Sequence, residues 1–165
     1  MKTINLTQGY MCQVSDVDFY RVVKLKWHAF VNRRKDRTIK NVYARNSTRK
    51  SDGSIVRTLM HRFLVGAPFG TEVDHRDHDG LNNQRRNLRV SNTQQNQGNR
   101  TINKDNTSGF KGVTHFKRNR KWGATVRRKF LGLFSTAEKA AHAYDKESER
   151  VFGKFSLTNK KLGRL

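Results

Sequence analysis

Asp74 stands directly before His75, and two spaced asparagines follow at Asn87 and Asn96. Asp74 can supply a hard carboxylate oxygen and Asn96 a neutral carbonyl oxygen. These are the donors a Mg²⁺-type ion prefers, its other positions being kept for water and substrate phosphate. His75 ionises near neutrality, so it can take a proton from water at little cost. Asn87 offers a carbonyl able to accept a hydrogen bond from the other ring nitrogen and so fix the tautomer. Together these groups are the parts of a metal-assisted phosphodiester cutter, with one Mg²⁺ (or Mn²⁺) per active site. An isolated Asp-His pair in a polar loop is ordinarily just surface. The two asparagines, the triplet Asn87-Leu88-Arg89 and the basic chain around them favour the catalytic reading.

Charge narrows the partner. The 165 residues carry 35 Lys and Arg against 13 Asp and Glu, a net charge of +22. Such a charge repels itself in the folded state and calls for a polyanion. Double-stranded DNA is the expected partner, through phosphate neutralisation and counterion release. No run of about 18 apolar residues exists, which excludes a membrane-spanning helix. The start, Met1-Lys2-Thr3-Ile4-Asn5-Leu6-Thr7, lacks an apolar core and does not read as a signal peptide. Cys12 is alone, so no internal disulfide and no Cys-x-x-Cys zinc pair can form. An intracellular, cytoplasmic protein is expected, in the host nucleoid if the gene is a phage's. No heptad argues for a dimer and no protein partner is implied, so a monomer is expected.

The elements that must position these groups come next. With 34% hydrophobic residues, small modules are favoured over one large core. Residues 4–14 predict a strand pair around Gly9. Ser15 looks like a helix cap, followed by an apolar stripe of Phe19, Val22, Val23 and Leu25. Strands are predicted over 27–31, 41–44 and 55–59. His28, beside Trp27, reads as a packing residue. A short helix over 61–65 ends at Gly66 and Pro68. Glu72-Val73-Asp74-His75 reads as a strand, residues 76–83 as a turn, and 85–89 as a helix start or return strand. His78 reads as solvated. Asn96 falls at the end of a helix, and the polar run beyond it reads as a linker.

Residues 109–155 change character. Strands are predicted over 109–118, 121–129 and 130–134. Trp122, Ala124 and Val126 alternate with Thr125, Arg127 and Lys129, so one face is apolar and the other basic. Thr114, Phe116 and Arg118 join that basic face. Ser135-Thr136-Ala137-Glu138 reads as a capping box that starts a helix at Thr136. Ala137, Ala141, Tyr144, Ser148, Val151 and Phe152 form its narrow apolar stripe, with Asp145 and Glu149 on other faces. Acid on the helix side and base on the sheet side suit a reader of the major groove.

Two resemblances rest on these residues. Met60-His61-Arg62, Val73-Asp74-His75, Arg86-Asn87-Leu88-Arg89 and Asn96 together resemble the HNH endonucleases, above all the small homing endonucleases of phage introns. The resemblance implies a two-stranded ribbon plus helix gripping one divalent metal, with Asp74 and Asn96 as ligands, His75 as general base and Asn87 as its orienter. Asn82 stands where that family often has Asp, and Gln84 where it often has Arg. His61, Arg62, Arg86, Arg89 and Arg100 are the expected DNA contacts around this site. Gly109-Phe110-Lys111-Gly112-Val113, Lys121-Trp122, residues 131–141, Ala143-Tyr144-Asp145 and Phe152-Gly153 resemble the APETALA-type (ethylene-response-factor) DNA-binding domain. By that resemblance the sheet enters the major groove with Lys111, Thr114, Phe116, Arg118, Thr125 and Arg127 in contact.

The expected fold class is α+β. A small antiparallel sheet region (1–58) precedes a ββα-metal (HNH) nuclease module (59–100). A linker (101–108) leads to a three-stranded antiparallel sheet packed on one helix (109–159). The expected function is site-specific cleavage of DNA, homing type, giving 5′ phosphate and 3′ hydroxyl. One active site on a monomer would nick. The alternative is a non-catalytic, sequence-specific DNA-binding regulator.

Overall fold

A computed structural model describes residues 1–165. The chain divides into two units, Met1–Asn92 and Thr93–Leu165. Both combine short helices with small sheets, and no helix is long and apolar enough to cross a membrane.

In the first unit β1 (Lys2–Asn5) and β2 (Met11–Val14) pair antiparallel, and β2 also runs parallel to the two-residue β7 (Asn82–Asn83). This pairing ties the N-terminus to the turn that follows His75. It is one reason residues 1–58 and 59–92 form a single unit. A second tie is Arg85, whose guanidinium grips the fully buried Asp18 at 2.7 Å through both carboxylate oxygens. Asp18 lies on α1 (Asp16–Val22). The hydroxyl of Ser15 does not cap that helix; it accepts from the backbone N–H of Arg85 at 2.9 Å. The expected apolar stripe is only partly used, since Val22 is buried while Val23 and Leu25 remain exposed.

A three-stranded antiparallel sheet follows, built from β3 (His28–Arg33), β4 (Ile39–Arg49) and β5 (Ile55–Leu59). His28 accepts from Arg45 Nε at 3.2 Å, in keeping with a packing role. Next come α2 (Met60–Val65), closed by Gly66 in the left-handed conformation, and the antiparallel pair of β6 (Glu72–His75) and β8 (Leu88–Ser91). Residues 85–89 therefore lead into a return strand, not a helix. Cys12, Val14, Val22, Trp27, Ala44, Met60, Leu64 and Leu88 make the core. Burial pushes the Cys12 thiol up to about 12, so it stays protonated and inert.

The second unit begins earlier than expected, at α3 (Thr93–Gly98). The cause lies in Gly98. A Cβ there would strike the Phe152 ring, and its carbonyl accepts from Leu157 N at 3.1 Å and Lys111 Nζ at 2.9 Å. Strands β9 (Val113–Phe116), β10 (Lys121–Val126) and β11 (Lys129–Phe134) form an antiparallel sheet with β10 central. Helix α4 (Ala137–Phe152) packs on it through Ala137, Ala140, Ala141, Tyr144 and Phe152. Alanines let the helix lie close to the sheet, and each added methylene there would overpack it. The cap is Thr136, which accepts from Lys139 N at 3.3 Å.

Two expected surface charges are buried in this unit. Asp145 accepts from the backbone N–H groups of Asn159 and Lys160 and from the Asn159 amide, at 2.7–2.9 Å. It anchors the C-terminal turn and adds nothing to an acidic helix face. Lys111 donates from Nζ to the carbonyls of Gly98 and Leu157, both at 2.9 Å, and burial lowers its pKa to about 8. It is therefore a structural bolt and does not present its charge on the outer face of the sheet. Lys111→Ala should cost the second unit about 2–4 kcal/mol, because two charged hydrogen bonds go and the Leu157 carbonyl loses its partner. Arg118→Ala, at an exposed site, should change stability by less than about 0.5 kcal/mol. Urea unfolding followed by circular dichroism separates the two.

Candidate active site

Strand alternation and register bring the chemical groups together. On β6, Asp74 sits opposite Arg89 of β8 and His75 opposite Leu88. The guanidinium of Arg89 holds Asp74 Oδ2 at 2.7 Å from Nε and 2.6 Å from the neighbouring nitrogen. Both side chains are buried, 9% and 5% exposed. Arg89 thus spends its charge on the carboxylate, a role that spacing had not revealed. The expectation that it contacts DNA is corrected accordingly.

His75 is buried, and its ring lies 4.9 Å from that of His61 in an edge-to-face arrangement. Tyr43 completes the cluster, its ring centroid 5.5 Å from His61 and 6.0 Å from His75. Burial lowers the pKa of His75, while Asn83, Asp77, Asp74 and Asp79 pull it back towards its ordinary value. Burial takes His61 down to about 3, with the neighbouring His75 and Arg62 adding to the shift. Both imidazoles are therefore neutral at pH 7. The Nδ1 of His61 is buried without a hydrogen-bond partner. A buried polar atom left unpaired costs free energy.

The asparagine beside the His75 ring is Asn83, not the expected Asn87. Asn83 Oδ1 stands 3.4 Å from His75 Nε2. Asn87 instead clasps the turn beyond His75. Its Oδ1 accepts from Asp77 N, and its Nδ2 donates to Asp77 Oδ1 and the Asn82 carbonyl. An amide with its donors used in this way shapes the 76–83 turn. Neither Tyr43 nor Asn83 was singled out from the sequence. The sequence carried no signal for either; in the structure a Cβ at Gly80 would lie 2.6 Å from the Tyr43 ring.

The remaining expected contacts divide. Arg62 does not face outward as expected: its guanidinium donates to the carbonyls of Thr71, Ala67 and Pro68. Arg86 and Arg100 are exposed, the latter in the second unit. His78 is exposed. Asn96 lies on α3 and is half-buried in the second unit. Thr114, Phe116, Arg118, Thr125 and Arg127 are all exposed there. Gly123 leaves room on that outer face for Phe116 and Phe130, whose rings lie 6.0 Å apart.

No three His, Cys, Asp or Glu side chains form a metal cage. Asp74 offers the hard carboxylate oxygen that suits a Mg²⁺-type ion, which commonly takes only one or two carboxylates and leaves the rest to water and phosphate.

Comparison with known proteins supports a nuclease. Over 110 residues the chain is 34% identical to a protein named "Uncharacterized HNH endonuclease L560" from Acanthamoeba polyphaga mimivirus. The match takes in 61% of this chain and 57% of that relative, little more than half its length. No family model and no solved structure matches the chain.

Proposed function

We propose that this chain is an HNH-type DNA endonuclease of the homing class, and that it cuts one strand at a site chosen by its second unit. The observation that carries the reading is the buried, neutral His75 beside the Asp74–Arg89 pair, with the unpartnered Nδ1 of His61 in the same cluster. The HNH relative and the net charge of +22 support it independently.

In this reading His75 takes the proton of a water attacking phosphorus in line, the bond to the 3′ oxygen breaks, that oxygen takes a proton from solvent, and 5′ phosphate and 3′ hydroxyl result. Arg89 fixes Asp74, and Asn83 and the Asn87-clasped turn fix His75. The residue of this cluster that would hold the ion is Asp74, with water and substrate phosphate at the other positions. When bound, one Mg²⁺ or Mn²⁺ supplies positive charge to the phosphate and to the leaving oxygen. His61 faces the same reaction with a neutral ring. In the second unit the antiparallel sheet backed by one helix supports an APETALA-type reader, with Thr114, Phe116, Arg118, Thr125 and Arg127 towards the major groove.

The test is conversion of supercoiled plasmid to open circles with Mg²⁺ or Mn²⁺, and its loss with a chelator. Protein that selects a duplex from a random pool yet leaves it whole in either metal is a DNA-binding regulator.

A further inference from the structure

Phe69 has the most exposed side chain among the large apolar residues of this chain, with 104% relative exposure. It stands at the tip of the short loop between α2 and β6, flanked by Pro68 and Gly70, both also exposed. A loop with an apolar tip would ordinarily fold it inward, because burying a phenylalanine side chain is favourable. This loop is held so that it cannot. Arg62 donates to three of its carbonyls, Ala67, Pro68 and Thr71, and the Thr71 hydroxyl bonds the Pro68 carbonyl at 2.8 Å. Gly66 and Gly70 bracket it with φ of +59° and +82°, a conformation that other residues rarely adopt. The Arg62 guanidinium thus braces the loop, and the aromatic ring is presented on a stiff mount.

We propose that Phe69 is a wedge that enters a base step of duplex DNA and partly unstacks it near the bond to be cut. The proposal rests on the nuclease reading for its position and on the loop geometry for its chemistry. Apolar side chains, phenylalanine among them, insert between base steps and kink the duplex. A duplex is the occupant that fits a lone aromatic tip on a chain of net charge +22, since a protein-docking surface needs a broad apolar patch. The loop runs directly into β6, and Asp74 lies five positions after Phe69. Five residues span at most about 18 Å, so the wedge would act within about five base pairs of the Asp74–His75 pair. Opening a step there would free the backbone to bend towards the imidazoles. Pre-set loop geometry makes this cheap, because little ordering is needed on contact.

The experiment reads DNA topology and needs no cleavage. Closed plasmid is relaxed by a type IB topoisomerase with bound protein in chelator, then stripped and resolved into topoisomers. Wild-type protein should unwind the plasmid. Phe69→Ala, at equal occupancy by gel retardation and with unchanged melting, should unwind it at least about fivefold less. Phe69→Trp should unwind it like wild type, with its added emission quenched by DNA. Equal unwinding by wild type and Phe69→Ala would overturn the wedge, as would wild-type binding without unwinding. A change in sedimentation on Phe69→Ala, without any topological effect, would assign the tip to a second copy of the chain and overturn it too. Unwinding that depends on Phe69 in a protein that never nicks in Mg²⁺ would support the wedge and end the nuclease reading alone.

Discussion

His75→Ala should leave binding to duplex intact and slow strand cleavage by about 10²–10⁴-fold, the usual contribution of a positioned general base. The direction of its pKa shift adds a second, sharper expectation. Burial lowers the folded-state value below 6.5, so the neutral, proton-accepting form persists as pH falls through 6.5. The acid limb of the cleavage profile should therefore lie below that of an ordinary histidine, and it should be absent from the residual activity of His75→Ala. Stability moves the same way. A histidine with a lowered folded pKa contributes fully above its unfolded value, and that contribution is lost as pH falls through the folded one. His61, taken to about 3, extends this loss to more acid conditions. Cleavage rates must accordingly be read where circular dichroism shows the protein still folded. Rapid-quench nicking of plasmid from pH 5 to 8 measures both expectations. A His75→Ala rate within about threefold of wild type would remove this histidine from the chemistry.

Sequence reading found the elements where local pattern dictates them and missed what distant partners dictate. The strands over 55–59 and 72–75 were legible because short runs with β-branched residues stand there after turn residues. Gly66 and Thr136 marked helix ends for equally local reasons. Lys111, Asp145, Arg62 and Arg89 all looked like surface charge, since nothing beside them in the chain betrays their partners. Lys111 meets a carbonyl 46 residues away, and Arg89 meets a carboxylate 15 residues back across a strand pair. Composition can say that a cation exists but not which acceptor uses it. The division between Asn92 and Thr93 was hidden likewise, because the contact of Gly98 with Phe152 leaves no trace in the polar run around it. In the candidate site, Asp74 and His75 were legible as adjacent residues of useful chemistry. Tyr43 was not, since on β4 it reads as one more strand aromatic.

That Tyr43 ring makes Gly80 the most sensitive non-chemical position of the site. Gly80 is buried and its φ is not positive, so space and not backbone conformation demands glycine there. An added Cβ would meet the carbonyl oxygen of Val42 and lie 2.6 Å from two carbons of the Tyr43 ring. The carbonyl belongs to the part of β4 that pairs with β3, Val42 opposite Val31, and cannot withdraw without disturbing that pairing. Tyr43 can turn, but only by leaving its places against His61 and His75. Gly80→Ala should therefore cost about 1–3 kcal/mol of stability through overpacking. It should also slow cleavage by about 10²-fold, the penalty for displacing reacting groups by about an ångström. Pairing it with Tyr43→Ala separates the two obstacles. The double variant relieves the ring clash but not the carbonyl, so it should recover part of the stability, with a coupling of about 0.5–3 kcal/mol between the sites. Its cleavage should stay low, because the ring that backs the two imidazoles is gone. Urea unfolding and plasmid nicking on all four proteins supply the cycle, and strictly additive stabilities would show that Gly80 and Tyr43 do not meet.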